Sequence, residues 1–200
     1  MKVRFLVPLL ALLLTGCLQL EQTFQFNSDS TLTVTYFYRF DREQEKVLRD
    51  MLAQKHRAGT LPPAALTFLD KEATRAAYAK HDIDLRLYSR EEKGTQVEIT
   101  VIALSRTPEK HLNDRLFGNF RFTRQDRKRR LEAVWPEGGR PVSPDPRMAS
   151  LCEDFAVKCT VLTNGKISSS SGTVVDSRQV NWRLSLEQLL QQPKIFVEWQ

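Results

Sequence analysis

The chain contains no second long apolar run: after the stretch from Phe5 to Leu14, nothing approaches the about 20 residues a spanning helix needs. Histidine is scarce. His56, His81 and His111 are scattered, with none of the spacing of a metalloprotease helix. No phosphate loop, dinucleotide fingerprint, calcium loop or nucleophile elbow occurs, and Ser168–Ser171 followed by Gly172 reads as a turn. The sequence therefore points to no catalytic residue, metal or cofactor. With 8 Gly and 9 Pro, collagen-like and low-complexity classes are excluded. A hydrophobic content of 41% places the chain among globular proteins, and 200 residues suit one domain. The net charge of +6 is too modest for a dedicated nucleic-acid binder.

What the N-terminus does have is informative. Lys2 and Arg4 precede the apolar run, and Thr15 and Gly16 follow it, the layout of a secretory signal. Leu14-Thr15-Gly16-Cys17 resembles the lipobox of bacterial lipoproteins. That resemblance implies diacylglyceryl transfer to the Cys17 thiol, cleavage just before it, and acylation of the new amine. Removing residues 1–16 leaves 184 residues and lowers the net charge to +4. The expected product is a globular domain, residues 17–200, tethered by lipid to a bacterial envelope membrane rather than spanning it. Leu18 after the cysteine resembles cargo sorted to the outer membrane of a Gram-negative cell, with the domain in the periplasm.

Alternation sets the expected fold. Leu18, Leu20, Phe24 and Phe26 alternate with polar residues, then Asn27–Ser30 turns the chain, and Leu32, Val34, Tyr36, Tyr38 and Phe40 return as a second strand. Asp41 with Gln44 opens a helix whose stripe is Val47, Leu48, Met51 and Leu52, closed by Gly59. A second helix runs from about Asp70 to Lys80. Ile83, Leu85 and Leu87 pair with Val97, Ile99, Val101 and Ala103, and Thr107-Pro108 opens a helical turn. Phe120 and Phe122 form a third hairpin with Leu131, Ala133 and Trp135. After a Pro/Gly-rich loop at 136–146 come strands at Val157–Val161 and Val180–Leu184, a capping box at Ser185 and Gln188, and a last strand from Ile195 to Trp199. Consecutive hairpins with two or three helices predict an α+β domain on an antiparallel sheet.

Two groups of residues carry candidate chemistry. Once Cys17 is lipidated, Cys152 and Cys159 remain, and outside the cytoplasm such a pair reads as a disulfide. A bridge needs Cα atoms about 4.4–6.8 Å apart, whereas seven residues of strand span about 23 Å, so the chain must reverse near Glu153-Asp154. The alternatives are two free thiols or a metal site, the latter without a nearby histidine. The second group is the run Arg121, Arg124, Arg127, Lys128, Arg129 and Arg130, opposed only by Asp126. It fits anionic lipid headgroups or phosphates. It also fits a solvated hairpin end whose charges block strand-to-strand association, the commoner role of such a run.

The lipobox followed at once by a hairpin, then Gly165-Lys166-Ile167, Ser171-Gly172 and Val180-Asn181-Trp182-Arg183-Leu184, resembles the LppM-like group of bacterial lipoproteins. The resemblance implies a non-enzymatic envelope lipoprotein with an α+β domain that interacts with lipids or phosphorylated glycolipids. This chain differs in its helical segment from Asp41 to Lys80 and in having no apolar C-terminal run. Two partners follow as expectations besides the membrane: an anionic lipid, or another envelope protein that this domain helps to assemble.

Overall fold

The alternating stretches become strands on the residues expected. In the computed structural model, which describes residues 19–57, 68–134 and 156–200, β1 (Gln19–Phe26) and β2 (Leu32–Asp41) form a hairpin. Phe24, Phe26, Leu32, Val34 and Phe40 are buried on one face, and Thr23, Thr33 and Thr35 lie on the other. Helix α1 (Arg42–Arg57) begins where the Gln44 side chain accepts from the Asp41 N–H at 3.2 Å. Helix α2 (Lys71–Ala79) is capped by Asp70, whose carboxylate accepts from the Ala73 N–H at 2.8 Å. Then follow β3 (Asp84–Lys93), β4 (Gln96–Ser105), α3 (Pro108–Asn113), β5 (Phe120–Gln125) and β6 (Lys128–Ala133). The final third holds β7 (Ala156–Leu162), β8 (Ile167–Ser170), β9 (Thr173–Val174), β10 (Gln179–Ser185), α4 (Leu186–Leu190) and β11 (Phe196–Trp199). Ser185 and Gln188 close the capping box that starts α4.

These strands make two sheets, of order β3-β4-β2-β1-β7-β10-β9 and β5-β6-β11-β8. The larger one is not wholly antiparallel as expected: β1 and β7 run parallel, Gln19 beside Ala156 and Gln25 beside Leu162. Four helices occur among the described residues, two of them of six residues or fewer. Residues 168–172 are also more than a turn. Ser169 and Ser170 pair with Glu198 and Val197, so the hydrogen bonds offered by β11 override the low strand preference of serine.

The sheets pack through aromatic side chains. Phe24 meets Phe120 edge-on at 4.9 Å, Phe26 stacks on Phe122 at 5.3 Å, and fully buried Trp199 lies 4.7 Å from Phe26. Burying each such side chain is worth roughly 1.5–3 kcal/mol. Toward the other edge of the large sheet, Tyr38 stacks on Phe68 at 3.9 Å and Tyr78 of α2 approaches Phe117. No helix among the described residues is long and apolar enough to cross a membrane.

Cys159 sits mid-strand in β7, beside Gln22 and Trp182, and its thiol is free and buried. The expected partner of its bridge, Cys152, lies outside the described residues. Burial pushes the Cys159 thiol up to about 12, which keeps it neutral and a poor nucleophile. The signal segment 1–16, Cys17 and Leu18, the helix-closing Gly59, Trp135, the 136–146 loop, Cys152 and the proposed reversal at Glu153-Asp154 lie outside the described residues, as do the side chains of Met51 and Leu52.

Candidate functional site

Strand alternation splits the basic run between two faces of the third hairpin. Arg121 and Arg130 share an outer face with Glu132. Arg121 donates to the Glu132 carboxylate at 2.9 Å, and Arg130 does so at 2.7 Å. Arg130 also pairs with Glu198 and lies 4.6 Å over the Phe196 ring. Burial raises the Glu132 carboxyl, but these two guanidinium bonds more than offset it and hold the group below its ordinary value. Arg121 and Arg130 therefore serve the sheet. Arg127 and Lys128 stand exposed at the turn with no ion pair among the described residues.

Arg124 and Arg129 point the other way, on the face of Phe122 and Leu131. They pair across the strands and line a cavity of about 530 Å³. Its floor is Phe26 and Phe122, stacked on each other with the Trp199 ring tilted against both. Its rim comes from four places: the Asn27–Thr31 turn, the start of α3, the tip of the third hairpin, and Asn164 after β7. The start of α3 adds Arg106, Pro108, Glu109 and Lys110. Four cations thus ring an aromatic floor against one carboxylate, in a volume of the size that takes small ligands. Arg106, Lys110 and Arg124 carry no ion pair among the described residues, so their charge is free to meet an anion.

The rim is held by hydrogen bonds. Asn164 accepts from Arg129 and from the Trp199 indole N–H (3.1 Å), and its amide donates to the Asn27 carbonyl at 2.9 Å. The turn below is closed by Asp29, whose carboxylate accepts from the Thr31 N–H at 3.0 Å and hydroxyl at 2.7 Å. Behind α3, buried His111 bonds Ser105 through Nδ1 at 2.8 Å and Thr107 through Nε2 at 3.2 Å. This pair resembles a nucleophile and base only in composition. Ser105 is 0% exposed, and the second ring nitrogen meets a hydroxyl instead of a carboxylate, so the three residues latch the strand–helix corner.

A second cavity of about 560 Å³ shares Arg106, Thr107 and Lys110 with the first, but Asp82, Asp84 and His111 line it and it has no aromatic floor. A third, of about 450 Å³, lies at the other end of β1 beside Gln19, Lys158 and Trp182. Among the described residues, no group of three His, Cys, Asp or Glu side chains is placed to hold a metal ion.

Arg124 and Arg129 belong to the six-residue run read from the sequence, whereas Arg106 and Lys110 went unremarked there. These two reach the site because Ser105 at the end of β4 pairs with Leu32 beside the β1–β2 turn. No spacing in the sequence announces that pairing. Close packing explains one of the motif residues. A β-carbon on Gly172 would stand 2.5 Å from the Trp182 ring and 2.7 Å from the Asn181 carbonyl oxygen, so the Ser171-Gly172 turn admits nothing larger beside that indole.

No known family pattern matches the chain, and neither does any curated protein. Among solved structures, it is similar to the NMR structure of the folded domain of the Mycobacterium tuberculosis LppM protein. The two are 14% identical with a TM-score of 0.50, over 100% of this chain and 94% of that one. At that identity the likeness is one of fold. A partial overlap with yeast LTA4 hydrolase in complex with bestatin is 7% identical, covers 93% of this chain and 29% of the hydrolase, and has a TM-score of 0.33.

Proposed function

We propose that the chain is a non-enzymatic, lipid-anchored protein of the bacterial envelope whose domain holds an anion-bearing amphiphile. One observation carries the reading: the cavity that joins an aromatic floor of Phe26 and Phe122 to a rim of Arg106, Lys110, Arg124 and Arg129. An alkyl chain would cover the floor, and an anionic headgroup would meet guanidinium groups that fit phosphate oxygens in pairs. The lipobox at Cys17 and the LppM-like fold both agree with an envelope setting. The basic run contributes through two of its six residues, not as one patch.

Titration with octyl phosphate tests this. The protein should bind octyl phosphate in a salt-sensitive way and bind both inorganic phosphate and octyl glucoside at least tenfold more weakly. Charge reversal of Arg106 and Arg124 to Glu should lower affinity at least tenfold, while reversal of Arg127 and Lys128 should change it little. Equal binding of octyl glucoside and octyl phosphate would sink the proposal.

A second reading draws on a different feature. Val174 and Val175 are 51% and 57% exposed at the β9 edge of the large sheet, where a partner strand could add. Under this reading the domain is an assembly factor for another envelope protein. A photo-crosslinker at Val175 should then capture one stoichiometric partner in intact envelopes.

A further inference from the structure

Strand β1 has two ends with different chemistry. At its start, Gln19 stands two residues after Cys17, beside Arg39 and Ala156. At its finish, Phe26 forms part of the cavity floor and Asn27 part of its rim. The eight residues between separate those ends by about 23 Å. A tether of two residues reaches no more than about 7 Å. A lipid on Cys17 would therefore hold the Gln19 end of the sheet at the bilayer and leave the cavity at the end farther from it.

The charges agree with that orientation. At the Gln19 end, Arg39 and Lys93 pair with Glu98, Arg42 pairs with Glu92, and Lys158 pairs with Glu21. Each of these cations is already met by a carboxylate and offers little to an anionic membrane; Arg183, exposed beside Lys158, is the one cation of this strand end without an ion pair among the described residues. Three unpaired cations, Arg106, Lys110 and Arg124, cluster at the opposite end. A domain that drew its ligand sideways from its own bilayer would need the reverse.

We infer that the cavity faces away from the anchoring membrane and is loaded from the aqueous compartment by a monomeric amphiphile, not by a lipid diffusing within the bilayer that holds the anchor. The inference rests on the anchor and the cavity reading proposed above. It fixes the direction from which the occupant arrives.

Fluorescence quenching on vesicles tests it. The lipidated full-length protein, in a Cys152→Ser background, takes a reporter at Ser28→Cys beside the cavity turn or at Gln96→Cys beside the anchor end; both native residues are exposed. On phosphatidylcholine vesicles, the Ser28 reporter should be quenched by aqueous iodide as fully as in detergent and unaffected by headgroup-nitroxide lipids. The Gln96 reporter should be quenched by the nitroxide lipids. Octyl phosphate added from water should bind the anchored and detergent-dispersed protein within about twofold. Nitroxide quenching at Ser28, or failure of the protein to float with vesicles through Cys17, would overturn the inference. If the reporters behave as expected but octyl phosphate binds neither form, the orientation stands and the ligand reading fails.

Discussion

The carbonyl oxygen of Gln200 occupies the space beside Gly165: a β-carbon at position 165 would stand 1.9 Å from it. The approach is fixed from both sides, since Lys166 and Gln200 exchange backbone hydrogen bonds at 3.0 and 3.1 Å. The last residue of the chain is thereby tied to the turn that follows β7, and Trp199 is set in the core between the two sheets. Gly165 is small because a backbone atom needs the room, with no strained dihedral involved.

Gly165→Ala should therefore destabilise the domain by about 2 kcal/mol or more, since the atom in the way is backbone and moves only with β11. Gly94→Ala is the comparison. There a β-carbon meets nothing within 4 Å, and the cost of about 1–2 kcal/mol comes from the left-handed backbone at φ +64. Urea midpoints of the two variants should fall in that order. A Gly165→Ala protein as stable as wild type would show that the turn and β11 can separate.

Much of the fold was legible because hydrophobic alternation is local. The hairpins at 19–41, 84–105 and 120–133, the Asp70 cap and the Ser185 capping box follow from residues a few positions apart. The parallel pairing of β1 with β7 was not legible, since it joins Gln22 to Cys159 across the whole helical segment and the third hairpin. The site suffered the same limit. Six cations in sequence read as one patch, but a period of two sends Arg121 and Arg130 to Glu132 and sends Arg124 and Arg129 to the cavity. Arg106 and Lys110 complete the rim only through the placement of β4 beside β2.

Asn164 binds Arg129, Trp199 and Asn27 at once, so its replacements should separate stability from binding. Asn164→Ala leaves the buried Trp199 indole N–H without its acceptor and should cost about 1–3 kcal/mol. Asn164→Asp keeps that acceptor but sets a carboxylate against Arg129. It also gives up the amide donor to the Asn27 carbonyl, so it should lose part of the stability, less than Asn164→Ala does, and weaken octyl phosphate binding several-fold. Thermal melts with parallel titrations read both effects. Equal affinity in Asn164→Asp and wild type would remove Arg129 from the ligand site.

The state of Cys159 can be counted chemically. The native protein should react slowly with a water-soluble disulfide reagent at this position, because the thiol is buried and held neutral. In denaturant, without any reductant, it should react at once. If the unfolded protein stays silent until a reductant is added, the bridge from Cys152 to Cys159 exists after all.

The latch at His111 should make stability depend on pH. Burial lowers the affinity of its ring for a proton, Lys110 and His81 add to this, and Asp114 and Asp82 oppose it without reversing it. In the unfolded chain the ring titrates near its ordinary value of about 6.5. The folded state thus binds fewer protons, and its advantage is full above that value and shrinks as the pH falls below it. Protonation would also make both ring nitrogens donors, which the hydroxyls of Ser105 and Thr107 must then accept. Glu98 and Glu45 are held below the ordinary carboxylate value by Lys93 and Arg90, so they lose their contribution only in a more acidic range. The melting temperature should accordingly drop between pH 7 and pH 5.5. His111→Gln should be less stable throughout but follow a flatter curve, and parallel curves for the two proteins would place the pH sensitivity elsewhere.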